Sequence, residues 1–179
     1  MSGKVRVLVV DDSALMRKLI PQILASDNEI EVVGTAMDGA FGLKKIDELK
    51  PDVVTLDLEM PRMDGMEMLR QITRKSHVPV IVVSALTTEG ASATFKALAF
   101  GAFDFVAKPR DAATSHMELI ARDLIAKIKA AARSRPADVP FVLEPERPSD
   151  KPASRPRKEP SKVVAIGIST GGPNALQYL

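Results

Sequence analysis

The chain of 179 residues is long enough for one domain and part of another, and with 45% hydrophobic residues it can bury a real core. A formal net charge of +2 and an aromatic content of 4% argue against nucleic-acid binding, and the absence of cysteine excludes disulfides and thiolate metal sites. No apolar run approaches the ~18 residues of a membrane span. The N-terminus leads straight into a strand, so we expect no signal peptide and a soluble, cytoplasmic protein.

Apolar runs of strand length alternate with amphipathic segments through the first three quarters of the chain. The runs are too apolar to face water, which is typical of a parallel sheet covered by helices on both sides. We therefore expect an α/β fold, a doubly wound five-stranded parallel sheet of flavodoxin-like type, with the second strand at an edge. The strands are expected at about 4–10, 29–36, 53–58, 78–84 and 102–106, and the helices at about 13–25, 38–49, 66–75, 88–99 and 112–131.

Proline and methionine stand out within these elements. Pro21 lies past the first turn of the first helix and is expected to kink or shorten it. The methionines around the central strand are expected to fill gaps in the core. The apolar stripe of the first helix is expected to be Leu15, Leu19, Ile20, Ile23 and Leu24, and the methionines are Met60, Met63, Met66 and Met68.

Carboxylates lie at the ends of two of the strand-like runs. Asp57 interrupts the run that begins at Val53, and Asp11 and Asp12 follow the first strand directly. Any of them alone could cap the following helix, an alternative that the residues leave open. The carboxyl ends of parallel strands meet at one edge of the sheet, where open α/β sheets bind ligands. Adjacent acids repel one another unless a cation lies between them, so together they predict a Mg²⁺-assisted phosphoryl site.

Ser84 and Lys108 end the fourth and fifth strands and are expected on the same rim. Singly, Ser84 could simply end its strand, and Lys108 could be an ordinary exposed lysine. As a set with the acids they predict phosphoryl transfer, in which Asp57 attacks in line and becomes an acyl phosphate. Mg²⁺ on Asp11, Asp12 and Asp57 would neutralise the phosphoryl oxygens, Lys108 would pair with another oxygen, and Ser84 could donate to a third.

The chain is expected to divide into three parts. Residues 1–130 form the α/β domain, and residues 131–161 are a linker, because a segment so rich in proline and charge buries too little apolar surface to fold alone. Residues 162–179 indicate a strand and a glycine-rich turn into a helix, too little for a domain, so we expect a fragment. Ser169 in that turn fits either a Gly-x-Ser-x-Gly nucleophile elbow or a phosphate-cradling turn.

Residues across the chain resemble one family. The set Asp11-Asp12, Asp57, Ser84 and Lys108-Pro109 is similar to bacterial response-regulator receiver domains over about 1–128. The segments TLDLEMPRMDG, VVSALT and GAFDFVAKP resemble the receiver of chemotaxis protein-glutamate methylesterases. The tail VVAIGISTGGP resembles the first strand and nucleophile turn of that family's α/β catalytic domain, here truncated.

The resemblance assigns roles at the acidic rim. It implies that Asp57 is the phosphoacceptor and that Asp12, Asp57 and the backbone carbonyl of Glu59 ligate Mg²⁺ directly. It implies that Asp11 acts mainly through water.

The resemblance also implies a switch and a nucleophile. Ser84 would be the switch hydroxyl and Phe105 the switch aromatic, and the Lys108–Pro109 bond would be cis. Ser169 would be the esterase nucleophile, activated by a later His and Asp.

The function implied by the resemblance is that of the phosphorylation-controlled regulatory part of a methylesterase. A partner histidine kinase would phosphorylate Asp57, and the shift would relieve blockage of the protein's own catalytic domain. The substrates would be glutamate methyl esters of methyl-accepting chemoreceptors, with glutamine deamidation as a second activity. Since His77 and His116 lie in the receiver and are expected at its surface, this chain alone is expected to lack esterase activity.

Two alternatives remain beside that function. One is a stand-alone receiver that acts as a phosphorylation-switched protein-binding module without hydrolase output. The other is a DNA-binding regulator that lacks its output domain, although IGISTGGP does not resemble a helix-turn-helix.

Overall fold

Five strands alternate with five helices in the computed structural model, which describes residues 3–84, 88–108 and 114–134. The elements are β1 (Val5–Val10), α1 (Ala14–Leu24), β2 (Ile30–Ala36), α2 (Gly39–Leu49), β3 (Val53–Leu56), α3 (Gly65–Lys75), β4 (Val80–Ser84), α4 (Thr88–Ala99), β5 (Asp104–Ala107) and α5 (Thr114–Arg133).

The strands form one parallel sheet in the order β2-β1-β3-β4-β5. The order reverses at β1, so β2 lies at an edge and β1 and β3 are neighbours in the centre. The predicted doubly wound, flavodoxin-like sheet is confirmed, and so is the edge position of β2. Because all strands run the same way, their carboxyl ends line one rim, and the reversal between β1 and β3 opens a crevice there.

Each face of the sheet covers its own core, because successive side chains of a strand point to opposite sides. Val7 and Val9 of β1 face α1 and α5, whereas Leu8 and Val10 face α2, α3 and α4. The helices meet the sheet through fully buried side chains such as Leu69. Strands buried on both faces explain the continuous apolar runs of the sequence. Met60 and Met68 are buried, and Met63 and Met66 pack against the same core, as expected for gap fillers.

The first helix differs from expectation in two ways. The helix continues through Pro21 to Leu24, so the predicted shortening is wrong. Met16, Ile20 and Leu24 are buried on both sides of the proline, and their packing offsets the ~3 kcal/mol that an interior proline costs. Leu15, predicted in the apolar stripe, is 69% exposed, and the neighbouring Met16 takes its place.

Several boundaries also shift by a few residues. The fifth strand runs over Asp104–Ala107 rather than 102–106, and the fourth begins at Val80 rather than 78. Ala102 is buried although it lies outside the hydrogen-bonded ladder. The apolar character of this position therefore did not indicate where the strand begins. Within the described residues, none of the helices is long and apolar enough to cross a membrane.

Candidate phosphoryl and metal site

Three aspartates lie together at the crevice between β1 and β3. Asp11 follows the last residue of β1, and Asp57 follows the last residue of β3, where its N–H donates to the carbonyl of Val10 at 2.9 Å. Asp11 and Asp57 are buried, whereas Asp12 is exposed. One carboxylate oxygen from each of the three lies within 4.8 Å of the others. The register of two adjacent parallel strands therefore brings together acids that are 46 residues apart in sequence.

Helix capping does not explain these acids. Ser13 is the N-cap of α1, since its hydroxyl accepts from the N–H of Met16 at 3.4 Å. Asp11 supports this turn by accepting from the N–H of Ser13 at 2.9 Å. The cap of the helix that follows β3 is Asp64, not Asp57. The capping alternative is thus wrong for Asp12 and Asp57, and their carboxylates are not used at helix ends.

Lys108 brings a positive charge to the buried acids. It follows β5 directly, and its N–H donates to the carbonyl of Ser84 at 2.8 Å, which fixes the ends of β4 and β5 together. Its Nζ lies 2.6 Å from Asp57 Oδ2 and 3.1 Å from Asp11 Oδ2. Ser84 is buried at the end of β4 on the same rim. The structure therefore places the predicted serine, lysine and acids at one edge of the sheet.

The charges of this cluster do not balance. Burial raises the pKa of Asp57 above its ordinary 3.8, and the opposing hydrogen bond and charge of Lys108 do not fully compensate. Burial works to lower the pKa of Lys108, but the hydrogen bonds and charges of Asp57 and Asp11 prevail and raise it above 10.5. One ammonium thus serves two buried carboxylates, with Asp12 beside them. A further cation near Asp57 would lower the cost of this excess negative charge.

Comparison with known proteins decides the family. The sequence matches the family described as response regulator receiver domain over residues 7–120. The chain belongs to this family. The receiver is similar to the response regulator domain of Thermotoga maritima CheB, with a TM-score of 0.66 and 45% identity over 74% of this chain and 98% of that domain.

Full-length relatives point to the same kind of receiver. A protein-glutamate methylesterase/protein-glutamine glutaminase from Koribacter versatilis is 62% identical over 98% of this chain and 50% of its own length. A second, from Symbiobacterium thermophilum, is 48% identical over 98% of this chain and 51% of its own length. The predicted resemblance to methylesterase receivers is confirmed, and the chain spans about half the length of these curated relatives.

The acids of the receiver fit a hard divalent cation. The candidate metal ligands of the three aspartates are all carboxylate oxygens. Asp11 and Asp57 are buried and held by the strands, and the exposed Asp12 leaves the group open to water. Mg²⁺ prefers a few carboxylates and keeps several waters. Buried Asp11 Oδ2 pairs with Lys108 Nζ at 3.1 Å and has no second polar partner among the described residues. An oxygen in this state is suited to a bound cation or to its water.

The loop after β3 brings Glu59 next to Asp57. The N–H of Glu59 donates to Asp57 Oδ1 at 3.2 Å, and the N–H of Gly65 donates to the carbonyl of Leu58 at 3.1 Å. A Cβ at Gly65 would lie 2.1 Å from the Asp57 carbonyl oxygen and 2.6 Å from the Leu58 Cα. Glycine is therefore required for α3 to approach the end of β3 so closely. The role of the Glu59 carbonyl as a metal ligand stays a prediction.

Phe105 lies in β5 with its side chain half buried against the core. Its carbonyl accepts from Lys127 Nζ of α5 at 2.6 Å, and the same Nζ lies 5.1 Å from the centre of its ring. Lys127 also lies 3.4 Å from Asp104. The position suits a residue that couples β5 to α5, and its role as switch aromatic remains a prediction.

Three basic residues near the site were missed from the sequence. Arg17 donates to the carbonyls of Asp11 and Asp12 at 2.8 and 2.7 Å, and Arg62 and Lys127 bind the neighbouring loops and strand. Nothing in the local sequence distinguishes them from solvent-facing cations, because each finds its partner only through the tertiary fold.

Some predictions fall outside the described residues. They are the cis bond at Pro109, the linker beyond residue 134 and the start of the catalytic domain with Ser169. The surface position of His116 stays a prediction, because only its backbone in α5 is described. His77 is exposed, as predicted.

Proposed function

We propose that this chain is the phosphorylation-controlled regulatory part of a cytoplasmic chemotaxis methylesterase, with Asp57 as the phosphoacceptor. The observation that carries the proposal is the contact of Lys108 Nζ with both Asp57 and Asp11 at the strand ends. A lysine held there is placed to pair with a phosphoryl oxygen once Asp57 is modified. The names of the similar full-length proteins favour a methylesterase over a stand-alone binding module.

The chemistry is a transfer of one phosphoryl group to a carboxylate. An oxygen of ionised Asp57 attacks phosphorus, a P–O bond forms, and the P–N bond to a phosphohistidine of a partner kinase breaks as the imidazole leaves. Lys108 then exchanges its pairing with Asp57 for a phosphoryl oxygen. Ser84, on the same rim, would donate its hydroxyl to another phosphoryl oxygen.

Asp11, Asp12, Asp57 and the Glu59 carbonyl would hold Mg²⁺ in this receiver. When bound, the ion neutralises phosphoryl oxygens and the charge that develops during transfer. Asp57 and Asp12 would be direct ligands, and Asp11 would act mainly through water. The cluster supports this assignment, because Lys108 forms ion pairs with two of the three acids and the exposed Asp12 leaves the group open to an ion from solvent.

Phosphorylation would switch the rim by adding charge. The acyl phosphate carries about −2 in place of the single carboxylate charge, so it pulls harder on Lys108 and on the Ser84 hydroxyl. Lys108 is bonded to the end of β4, and Phe105 lies three residues before it in β5. A displacement there would reach α4 and the Phe105 side chain, and in the intact protein it would relieve blockage of the catalytic domain.

The output would be hydrolysis of glutamate methyl esters on methyl-accepting chemoreceptors, together with deamidation of glutamines. Ser169 would be the nucleophile, and a His and an Asp would activate it. The histidines of this sequence are His77 and His116, both in the receiver part, so we expect the 179-residue chain alone to show no esterase turnover. Methyl-ester hydrolysis that disappears in Ser169→Ala would contradict this.

The test is phosphorylation by acetyl phosphate, with Mg²⁺ or with EDTA. We expect a base-labile phosphate on the wild type with Mg²⁺ and none on Asp57→Asn. Asp64→Asn is the matched control, because it removes one carboxylate seven residues away while asparagine still caps α3. Label that persists in Asp57→Asn, or no label on the wild type with Mg²⁺, would overturn the proposal.

A further inference from the structure

An ion pair ties the loop after β3 to the loop before α2. Arg62 Nη2 lies 2.5 Å from Asp38 Oδ2, with the arginine side chain 66% exposed and the aspartate side chain 3% exposed. The carboxylate is therefore fixed inside the fold, and the arginine reaches in from the surface. Arg62 lies three residues after Glu59, on the segment that carries the proposed metal ligands.

Asp38 is a rigid anchor for this contact. Its other oxygen, Oδ1, accepts from the N–H of Phe41 at 2.9 Å and caps α2. The two loops also touch through apolar atoms, since a Cβ at Gly39 would lie 2.7 Å from Met63 Cγ. The loop after β3 is thus held against α2 by one charged contact and one packed contact.

The backbone of Arg62 is in the left-handed region, with φ of 70°. Residues with a Cβ rarely adopt this conformation, and glycine or asparagine adopts it at lower cost. Among the described residues, the polar partner that the Arg62 side chain finds to offset this cost is Asp38. The pair therefore opposes relaxation of the loop to another backbone conformation.

We propose that the Arg62–Asp38 pair positions the Glu59 carbonyl relative to Asp57 and thereby sets the affinity for Mg²⁺. One end of the segment is fixed by the Glu59 N–H, which donates to Asp57 Oδ1. The other end is fixed by Arg62. Asp57 is positioned by β3, and Asp12 lies in the turn after β1, where Arg17 donates to its carbonyl. The Glu59 carbonyl is therefore the proposed ligand that depends on the loop after β3. Arg62 is a positioning residue, and the inference rests on the proposed function above.

The diagnostic variant is Arg62→Asn in the full chain, titrated with Mg²⁺ alone by calorimetry. Asparagine tolerates the positive φ but loses the ion pair. We expect the Kd for Mg²⁺ to rise about tenfold, the low end of what loss of a ligand-orienting partner costs. Charge alone predicts the opposite, because removing a cation near three acids would tighten Mg²⁺ binding. Weaker binding would therefore report position rather than charge.

Three further variants sharpen the result. Asp38→Ser keeps an N-cap for α2 but loses the ion pair. The double variant with Arg62→Asn should have a Kd less than about twofold above that of Arg62→Asn alone, because the two residues act through the same contact. Arg62→Lys retains the charge and should recover part of the affinity. Lys75→Asn is the control for charge, because Lys75 is exposed at the far end of α3. Its Kd should match that of the wild type.

Urea unfolding in EDTA distinguishes positioning from stability. If Arg62→Asn lowers the unfolding midpoint but leaves the Kd unchanged or tighter, the pair is only structural and the inference is wrong. If the wild type binds no Mg²⁺, the proposed function fails together with this inference. If the wild type binds Mg²⁺ and Arg62→Asn binds it equally well, this inference alone fails.

Discussion

Lys108→Met should strongly lower the free energy of unfolding of the metal-free protein. Its Nζ lies 2.6 Å from Asp57 Oδ2 and 3.1 Å from Asp11 Oδ2, and its side chain is 18% exposed. Removal of one partner from a buried pair costs ~3–5 kcal/mol, because the remaining charge is buried and uncompensated. Here two carboxylates lose their partner, but water can enter beside the partly exposed lysine position, so we expect the lower end of this range, ~3 kcal/mol.

Urea denaturation in EDTA measures this cost. With a denaturant slope of about 2 kcal/mol per molar, the midpoint should fall by about 1.5 M. Mg²⁺ should then stabilise Lys108→Met more than it stabilises the wild type, because the local charge of the cluster changes from about −2 to −3 and the ion binds only the folded state.

Lys129→Met is the matched control for this variant. Lys129 also lies between two carboxylates, at 2.7 Å from Asp27 and 2.6 Å from Glu29, but at the other end of the sheet and close to solvent. We expect a much smaller shift of the midpoint and no extra response to Mg²⁺. A Lys108→Met protein that is as stable in EDTA as the wild type would show that the ammonium does not compensate the buried acids.

Three other substitutions test the same rim. Asp57→Asn should raise the free energy of unfolding in EDTA, since burial raises the pKa of Asp57 and its ionised form opposes folding. This gain in stability should be complete above the folded-state pKa and should disappear as the pH falls towards 3.8. A gain that persists in acid would have another cause than the charge of Asp57. Gly65→Ala should lower the free energy of unfolding in urea by ~1–3 kcal/mol and slow Asp57 phosphorylation, because the alanine Cβ would lie 2.1 Å from the Asp57 carbonyl oxygen. An unchanged urea midpoint would mean that α3 can move away without cost. Lys127→Met should change the environment of the Phe105 ring, seen as shifted aromatic NMR signals in the unphosphorylated protein, while Mg²⁺ affinity stays within about twofold because Lys127 pairs outside the acidic cluster.

The fold could be predicted from the sequence because its signals were both local and repeated. Apolar runs too long to have a wet face require a covered parallel sheet, and the alternation in 29–36 correctly indicated the edge strand. The acids and Lys108 could be grouped because the ends of parallel strands share a rim, whatever the distance between them in sequence. The helix periodicity was less specific, and it took Leu15 for a buried residue in place of Met16.

The supporting contacts could not be predicted in this way. Arg62 and Lys127 each resemble an ordinary charged surface residue, and their partners Asp38 and Phe105 are 24 and 22 residues away in sequence. Such contacts depend on side-chain reach and loop conformation, which no periodic pattern encodes. The prediction that Pro21 shortens the first helix failed for a related reason. The packing of the helix on both sides of the proline outweighed its local cost.

The position of Lys108 in the chain has a consequence for the order of assembly. During synthesis, Asp57 is added 51 residues before the lysine that pairs with it, and Asp11 is added earlier still. A partly folded chain that has paired β1 with β3 but lacks β5 must bury two carboxylates without a counter-charge. Such a state is penalised electrostatically, so closure of the sheet by β5 and completion of the phosphoryl site coincide. In a receiver built this way, Asp57 reaches its paired, buried position only once β5 has joined the sheet.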